Sequence, residues 1–191
     1  MESARRMGSQ DSETSAALLD ATERVLRKDG YAAVSSRRVA EEAGIKQPLV
    51  YYYFRTVDEL VIATFKRRTT RRIELLKAAL ASNQPLRGLW KLNIDETDAR
   101  VTAEFLALGN HNKAIRAIAR QHLQETRRIE VEALSRLLKD RGVELDVLTP
   151  AALSFLVTAI SQWLTRESAL GVSDGHSDVE ALMDWALSRL S

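Results

Sequence analysis

The side chains best suited to recognition chemistry crowd into one short run: Ser36-Arg37, then Lys46-Gln47-Pro48-Leu49, then Tyr51-Tyr52-Tyr53. A glutamine amide sets an acceptor oxygen beside N–H donors, so Gln47 can make paired bonds to N6 and N7 of adenine. Arg37 or Lys46 can do the same to O6 and N7 of guanine, while Pro48 and Leu49 offer hydrocarbon to a thymine methyl. The hydroxyls of Ser36, Tyr51 and Tyr52 can hold phosphate oxygens, which sets register without reading sequence. For Tyr51 a core aromatic with a satisfied hydroxyl is the competing assignment; for Arg37 it is an ordinary surface charge.

These residues need two short helices and a tight turn to bring them together, and the local signals supply both. Ser35 can cap the first helix, and Val39, Ala40 and Ala43 give it an apolar face at helical spacing. Gly44 supplies the positive φ that ends a helix in a turn, with Ile45 plugging that turn into a core. Lys46 or Gln47 stands at the next cap, and Pro48 suits the opening of a helix, where its missing N–H costs nothing. Val50 and Phe54, four apart, should face inward, leaving Gln47, Leu49, Tyr52 and Tyr53 outside. Thr56 with Glu59 three residues later forms a capping box for a following helix. Two short helices around a glycine turn predict a helix-turn-helix, whose second helix enters the major groove of DNA.

The run from Gly30-Tyr31, through residues 35–44 and 46–54, to Thr56–Leu60 resembles the tetracycline-repressor (TetR) family. The likeness covers about residues 12–60. It departs at Leu49, where a threonine or other small residue is common, and at Tyr53, where histidine is common. The resemblance implies an all-α protein with a helix-turn-helix domain and a C-terminal helical domain for effector binding and dimerisation. It further implies repression at a palindromic double-stranded DNA operator, release by a small-molecule effector, and a homodimer in which the last two helices bundle with their copies. Candidate effector contacts are aromatic or polar groups at positions expected to be buried: Phe65, Trp90, Phe105, His111, His122, Gln162 and Trp163. Plain core is the competing assignment for each. The apolar balance favours an apolar or amphipathic effector.

Composition agrees with a globular regulator: 191 residues, 45% hydrophobic and 28% charged. The net charge of +2 divides unevenly. Residues 1–72 carry 14 Lys/Arg against 10 Asp/Glu, and the remainder 14 against 16, so the positive excess lies on the helix-turn-helix side. With no cysteine, disulfides and thiolate metal sites are excluded. No apolar run reaches the length of a membrane span, and residues 1–11 read as a polar arm rather than a secretory signal. A cytoplasmic protein is expected. Three segments follow: the arm, a DNA-binding domain over 12–60, and an effector and dimerisation domain over 61–191.

Breaks and caps lay out the remaining helices at about 57–81, 86–95, 98–109, 113–140, 150–170 and 177–190. The basic stretch Lys66-Arg67-Arg68 and Arg71-Arg72 is expected in solvent, with an approach to the DNA backbone as the alternative, and His176 is expected in solvent too. The 150–170 helix is apolar nearly all round (Leu153, Phe155, Leu156, Val157, Ile160, Trp163, Leu164) and must be covered on every side. The last helix carries Val179, Leu182, Met183, Ala186, Leu187 and Leu190 as a stripe, with Trp185 outside it. An intrachain core is the alternative to a dimer contact. No phosphate loop, zinc-protease motif or nucleophile elbow occurs, so an enzyme is not expected. His111 and His122 are eleven apart and predict no shared metal, and no cofactor is implied. A helical protein–protein adaptor, or a helical enzyme without motifs, is the rival reading.

Overall fold

The computed structural model describes residues 12–142 and 149–190, so the expected arm at 1–11 lies outside the described residues. The order is α1 (Glu13–Asp29), a 3-10 turn (Tyr31–Ala33), α2 (Ser36–Ala43), α3 (Gln47–Tyr53), α4 (Val57–Leu80) and α5 (Pro85–Asn93). Then come α6 (Glu96–Leu108), α7 (Lys113–Asp140), α8 (Pro150–Ala169) and α9 (His176–Leu190). No strand occurs among the described residues. No helix among them is long and apolar enough to cross a membrane.

The caps are those the sequence signals. Ser12, Ser35 and Thr149 each accept a backbone N–H through the side-chain oxygen, opening α1, α2 and α8. At α4 the Thr56 hydroxyl accepts from Glu59 N at 3.0 Å. Glu59 reaches back to Arg55 N at 2.9 Å, one residue earlier than a standard capping box.

Two compact units divide the chain, one holding 12–68 with 104–118, the other 69–103 with 119–190. The division expected at residue 60 therefore falls inside α4, at Arg68. A helix of 24 residues spans about 36 Å, more than a three-helix domain needs, so its two halves serve different cores. Residues 104–118 join the first unit because Phe105 stacks on Phe65, centroids 4.2 Å apart.

The first unit packs Leu18, Leu19 and Ala21 of α1 against Val39 and Ala40 of α2, Val50 of α3, Phe54 and Leu60. Inside it Arg68 pairs with Glu23 at 2.9 Å, both side chains buried, and Arg67 bonds Asp20 and Ala16 O. The basic stretch expected in solvent is thus partly structural. Arg72, in the second unit, likewise donates to Leu92 O and to Asn93 Oδ1, both at 2.8 Å. Guanidinium groups fill these places because several donors in a rigid fork can satisfy carboxylates and carbonyls at once.

The second unit gathers Leu76, Leu86, Leu89, Trp90, Leu134, Leu153, Val157, Leu164, Met183 and Leu187. Gly88 makes α5 fit: a Cβ there would stand 2.8 Å from Ala79 O. A polar group sits within this apolar matrix. Ser154 donates to buried Glu130, and Arg127 donates to the Ser154 hydroxyl at 2.6 Å. Burial pushes the Glu130 carboxyl above its ordinary range, opposed by the Ser154 bond and by the charges of Arg127 and Arg72. His176, expected in solvent, is instead the first residue of α9 and half-buried, its Nε2 2.9 Å from Glu167 Oε2.

Candidate nucleic-acid interface

The first unit builds its outer face from α2 and α3. Gly44, at φ 67° and ψ 28°, closes α2 with its N–H on Glu41 O at 3.2 Å, and Ile45 N returns to Ala40 O at 3.0 Å. That left-handed residue redirects the chain within three positions, so α3 begins at once. Lys46 is the cap of α3 but contributes no side-chain bond, and Pro48 sits at its second position. Val50 and Phe54, each 1% exposed, anchor α3 to the core. The seven residues of α3 are too few for a stable isolated helix; the two buried anchors hold it.

With the inner face committed, Gln47, Pro48, Leu49, Tyr51 and Tyr52 stand outward. Tyr51 is 52% and Tyr52 44% exposed. Gln47, Pro48, Tyr51 and Tyr52 line one open recess of about 350 Å³. Tyr51 is therefore no core aromatic, although its hydroxyl is engaged. It lies 2.9 Å from the Ser36 hydroxyl, which also accepts from Gln47 Nε2 at 2.9 Å. Ser36 itself is buried. Its expected direct grip on phosphate gives way to an internal junction between α2 and α3. Tyr53, expected outside, is half-buried against the core and meets Tyr52 edge-on at 5.1 Å. Its place on the helix, three residues past Val50, brings it round toward the buried stripe.

Charge on this unit divides into spent and available groups. Glu42 of α2 accepts from Arg24 of α1 at 2.8 Å and lies 3.4 Å from Lys28. Arg38 bridges Asp29 at 3.0 Å and Glu42 at 3.3 Å. The Arg24 bond, aided by Lys28, holds the Glu42 carboxyl below its ordinary range. This cluster clamps α1 to α2. Arg37, by contrast, is 81% exposed and only loosely placed 3.9 Å from Glu41. Lys46 just before α3 and Arg55 just after it are also exposed. Arg55 did not stand out in the sequence. Its position two residues beyond the end of α3 was the available signal.

The proposed effector residues do not form one group. Phe65, Phe105 and His111 fall in the first unit, and Trp90, His122, Gln162 and Trp163 in the second. Phe65 and Phe105 are a buried stacked pair, and Trp90 is core. His122 and Gln162 are half-buried. His111 and Trp163, expected to be buried, are exposed: His111 occupies the α6–α7 turn, and Trp163 points away from the core of its own unit.

A capped helix, a left-handed glycine and a short helix held by two buried anchors, presenting amide and phenol groups outward, define a helix-turn-helix protein. Residues 18–64 match the model of the bacterial regulatory proteins of the tetR family. The chain is 28% identical over 141 residues to the HTH-type transcriptional regulator BetI of Rhizobium meliloti (strain 1021). That match takes in 71% of this chain and 66% of the relative, just under two thirds of its length. Among solved structures, a TetR transcription regulator from Haloarcula marismortui superposes with a TM-score of 0.73 at 20% identity, covering 93% of this chain and 95% of that one. A transcriptional regulator from Saccharomonospora viridis, solved in complex with choline, superposes at 0.75 and 17%, covering 93% and 94%. At these identities the superpositions speak for the fold alone. Residues 18–64 thus carry the DNA-binding region of the tetR family of bacterial regulatory proteins, and the relatives and solved structures that resemble the chain are described as regulators of transcription.

Proposed function

We propose that this protein is a transcriptional regulator that binds a palindromic DNA operator as a homodimer and lets go when a small amphipathic molecule binds. The outward face of α3 carries this reading: an amide, a proline and two tyrosines share one open recess on a helix whose opposite side is sealed in the core. Gln47, with Pro48 and Leu49, is assigned to base edges. Tyr51, Tyr52, Arg37 and Lys46, with Arg55 added, are assigned to phosphate. DNA reading belongs to the unit of α1–α3; effector and partner binding belong to the other.

The partner is a second copy, with contact through α8 and α9. Phe155, Leu156 and Trp163 on α8 and Leu182 and Trp185 on α9 are exposed in the single chain, large apolar side chains that a second copy would cover. A twofold dimer presents two recognition helices about 34–36 Å apart or a multiple of that spacing, matching palindromic half-sites. Repression is taken from the family. An amphipathic effector accords with the choline bound to the Saccharomonospora relative and with the polar Glu130–Ser154–Arg127 group set in the apolar interior of the second unit. By linkage, whatever binds the released form more tightly weakens DNA binding by the same factor. DNA as target places the protein in the cytoplasm.

Gel shift with a salt titration tests the core of the reading. With 6–10 phosphate contacts, affinity should fall by about 10³–10⁵ between 50 and 200 mM salt. No retention on promoter fragments at low salt would reject it and favour a protein–protein adaptor.

A further inference from the structure

Tyr53 is half-buried, packed against the core of the first unit, while its neighbour Tyr52 is 44% exposed. Their rings meet edge-on, centroids 5.1 Å apart and planes at 90°. We propose that Tyr53 is a positioning residue: its ring, anchored in the core, fixes the exposed Tyr52 in one orientation on the α3 face before DNA arrives. This rests on the DNA-binding reading above, in which Tyr52 holds a phosphate, and adds the residue that sets that contact.

Consecutive residues of a helix project about 100° apart round its axis, so their side chains do not ordinarily face each other. For these two rings to meet, at least one has to lean toward the other. Tyr53 is confined by the apolar cluster that α1, α2 and Phe54 build behind it, so the ring that yields is Tyr52. Edge-to-face contact is a favoured arrangement of two aromatic rings, whichever supplies the edge, because ring hydrogens meet the electron-rich face of the other. Tyr51 is held differently, through its hydroxyl, 2.9 Å from that of Ser36. Tyr52 is held through its ring, which leaves its hydroxyl for a phosphate oxygen. An exposed tyrosine with nothing beside it samples several staggered rotamers and must give up that freedom on gripping DNA, which is a cost of association. Leaning on Tyr53, Tyr52 has given up part of it beforehand, so the same bond to phosphate holds more tightly.

Duplexes selected from a randomised library by the wild-type full chain supply an operator, and titration of variants against it tests this. Tyr53→Leu, which keeps an apolar anchor but no ring, should weaken binding about threefold to tenfold, evenly across sequences. Tyr53→Phe, which keeps the ring, should bind as the wild type does. In a Tyr52→Ala background Tyr53→Leu should cause no further loss, since the side chain it positions is gone. In the free wild type, three-bond couplings of labelled Tyr52 should report a single χ1 rotamer.

A loss in Tyr53→Phe equal to that in Tyr53→Leu would show the Tyr53 hydroxyl itself at work on DNA and overturn the proposal. So would equal losses from Tyr53→Leu with and without Tyr52, the mark of general damage to α3. Should Tyr53→Leu fail to fold, the couplings decide. A Tyr52 side chain averaged over rotamers in the free protein overturns the proposal, and a single rotamer that Tyr53→Phe preserves upholds it. Absence of any selected motif in the wild type removes the DNA reading and this role with it; a motif bound alike by the wild type and Tyr53→Leu overturns this proposal alone.

Discussion

Helices α3 and α8 both leave aromatic rings in solvent, yet they advertise different partners. On α3 the exposed rings are tyrosines; one is hydrogen-bonded through its hydroxyl to Ser36, and beside them stand a glutamine and, flanking the helix, cations. On α8 they are Phe155 and Trp163, with Leu156 beside them; the polar contacts are Trp163 Nε1 on Glu167 at 2.9 Å and the Arg127 guanidinium 5.2 Å from the Phe155 ring. Tyrosines and amides keep their hydrogen bonds on a wet, charged surface such as DNA. Phenylalanine, leucine and tryptophan gain only by losing water, so they suit a dry contact between protein surfaces. Exposure alone does not name a partner; the polar atoms that accompany it do.

The sharpest way to break this comparison is to charge the dry face. Trp163→Glu with Trp185→Glu should turn the proposed dimer into a monomer in sedimentation velocity. Operator affinity should fall about 10²–10⁴-fold, as two linked half-sites become one. A dimer that survives both changes would place the contact elsewhere. Next in size, Phe54→Ala removes the buried anchor of α3 and should cost about 3–5 kcal/mol. Chemical denaturation should then show the first unit unfolding earlier, with dimerisation retained. On the wet face, Gln47→Ala should cost about 1–3 kcal/mol at one base position, leaving the melting temperature near wild type because the side chain is exposed.

The smallest effects are in pH, and the two units should respond in opposite directions. In the first, Glu42 is held below its ordinary 4.5 by Arg24. The stability it lends α1 and α2 is present above that value and is lost as pH falls below it. In the second, burial raises the Glu130 carboxyl above 4.5. The folded chain favours its protonated form, so its contribution weakens as pH rises from 4.5 through the raised value. Glu130→Gln should leave stability at pH 7 unchanged or slightly higher and flatten the dependence above 4.5. Glu42→Gln should flatten it below. Thermal melts of both variants between pH 3 and 7.5 separate the two, and identical profiles would refute this assignment.

Most of the first unit was legible because its signals are local. Ser35, Gly44, Pro48 and Thr56 announce caps and a turn by chemistry that acts within four residues. Val50 and Phe54 announce an inner face by spacing. Tyr53 was misplaced, since periodicity over a seven-residue helix leaves one turn of uncertainty about where a flank lies. The second unit was legible as helices but not as a site. Whether Trp163 lines an interior or stands outside depends on which side of α8 meets Leu86, Leu89 and Trp90, a matter of packing between residues far apart in sequence. The basic run on α4 was misread for the same cause: Arg68 is buried because Glu23, 45 residues earlier, awaits it.

By itself the chain of residues determined the helices, their ends, the helix-turn-helix and the family likeness, because caps, glycine φ and apolar spacing act over one or two turns. Only the tertiary structure decided that Ser36 is buried between Gln47 and Tyr51, that Glu42 gathers three cations, and that Trp163 and Trp185 are left bare. Those outcomes depend on contacts between separate helices, where burial and hydrogen-bond partners are set by three-dimensional packing and leave no periodic mark along the chain.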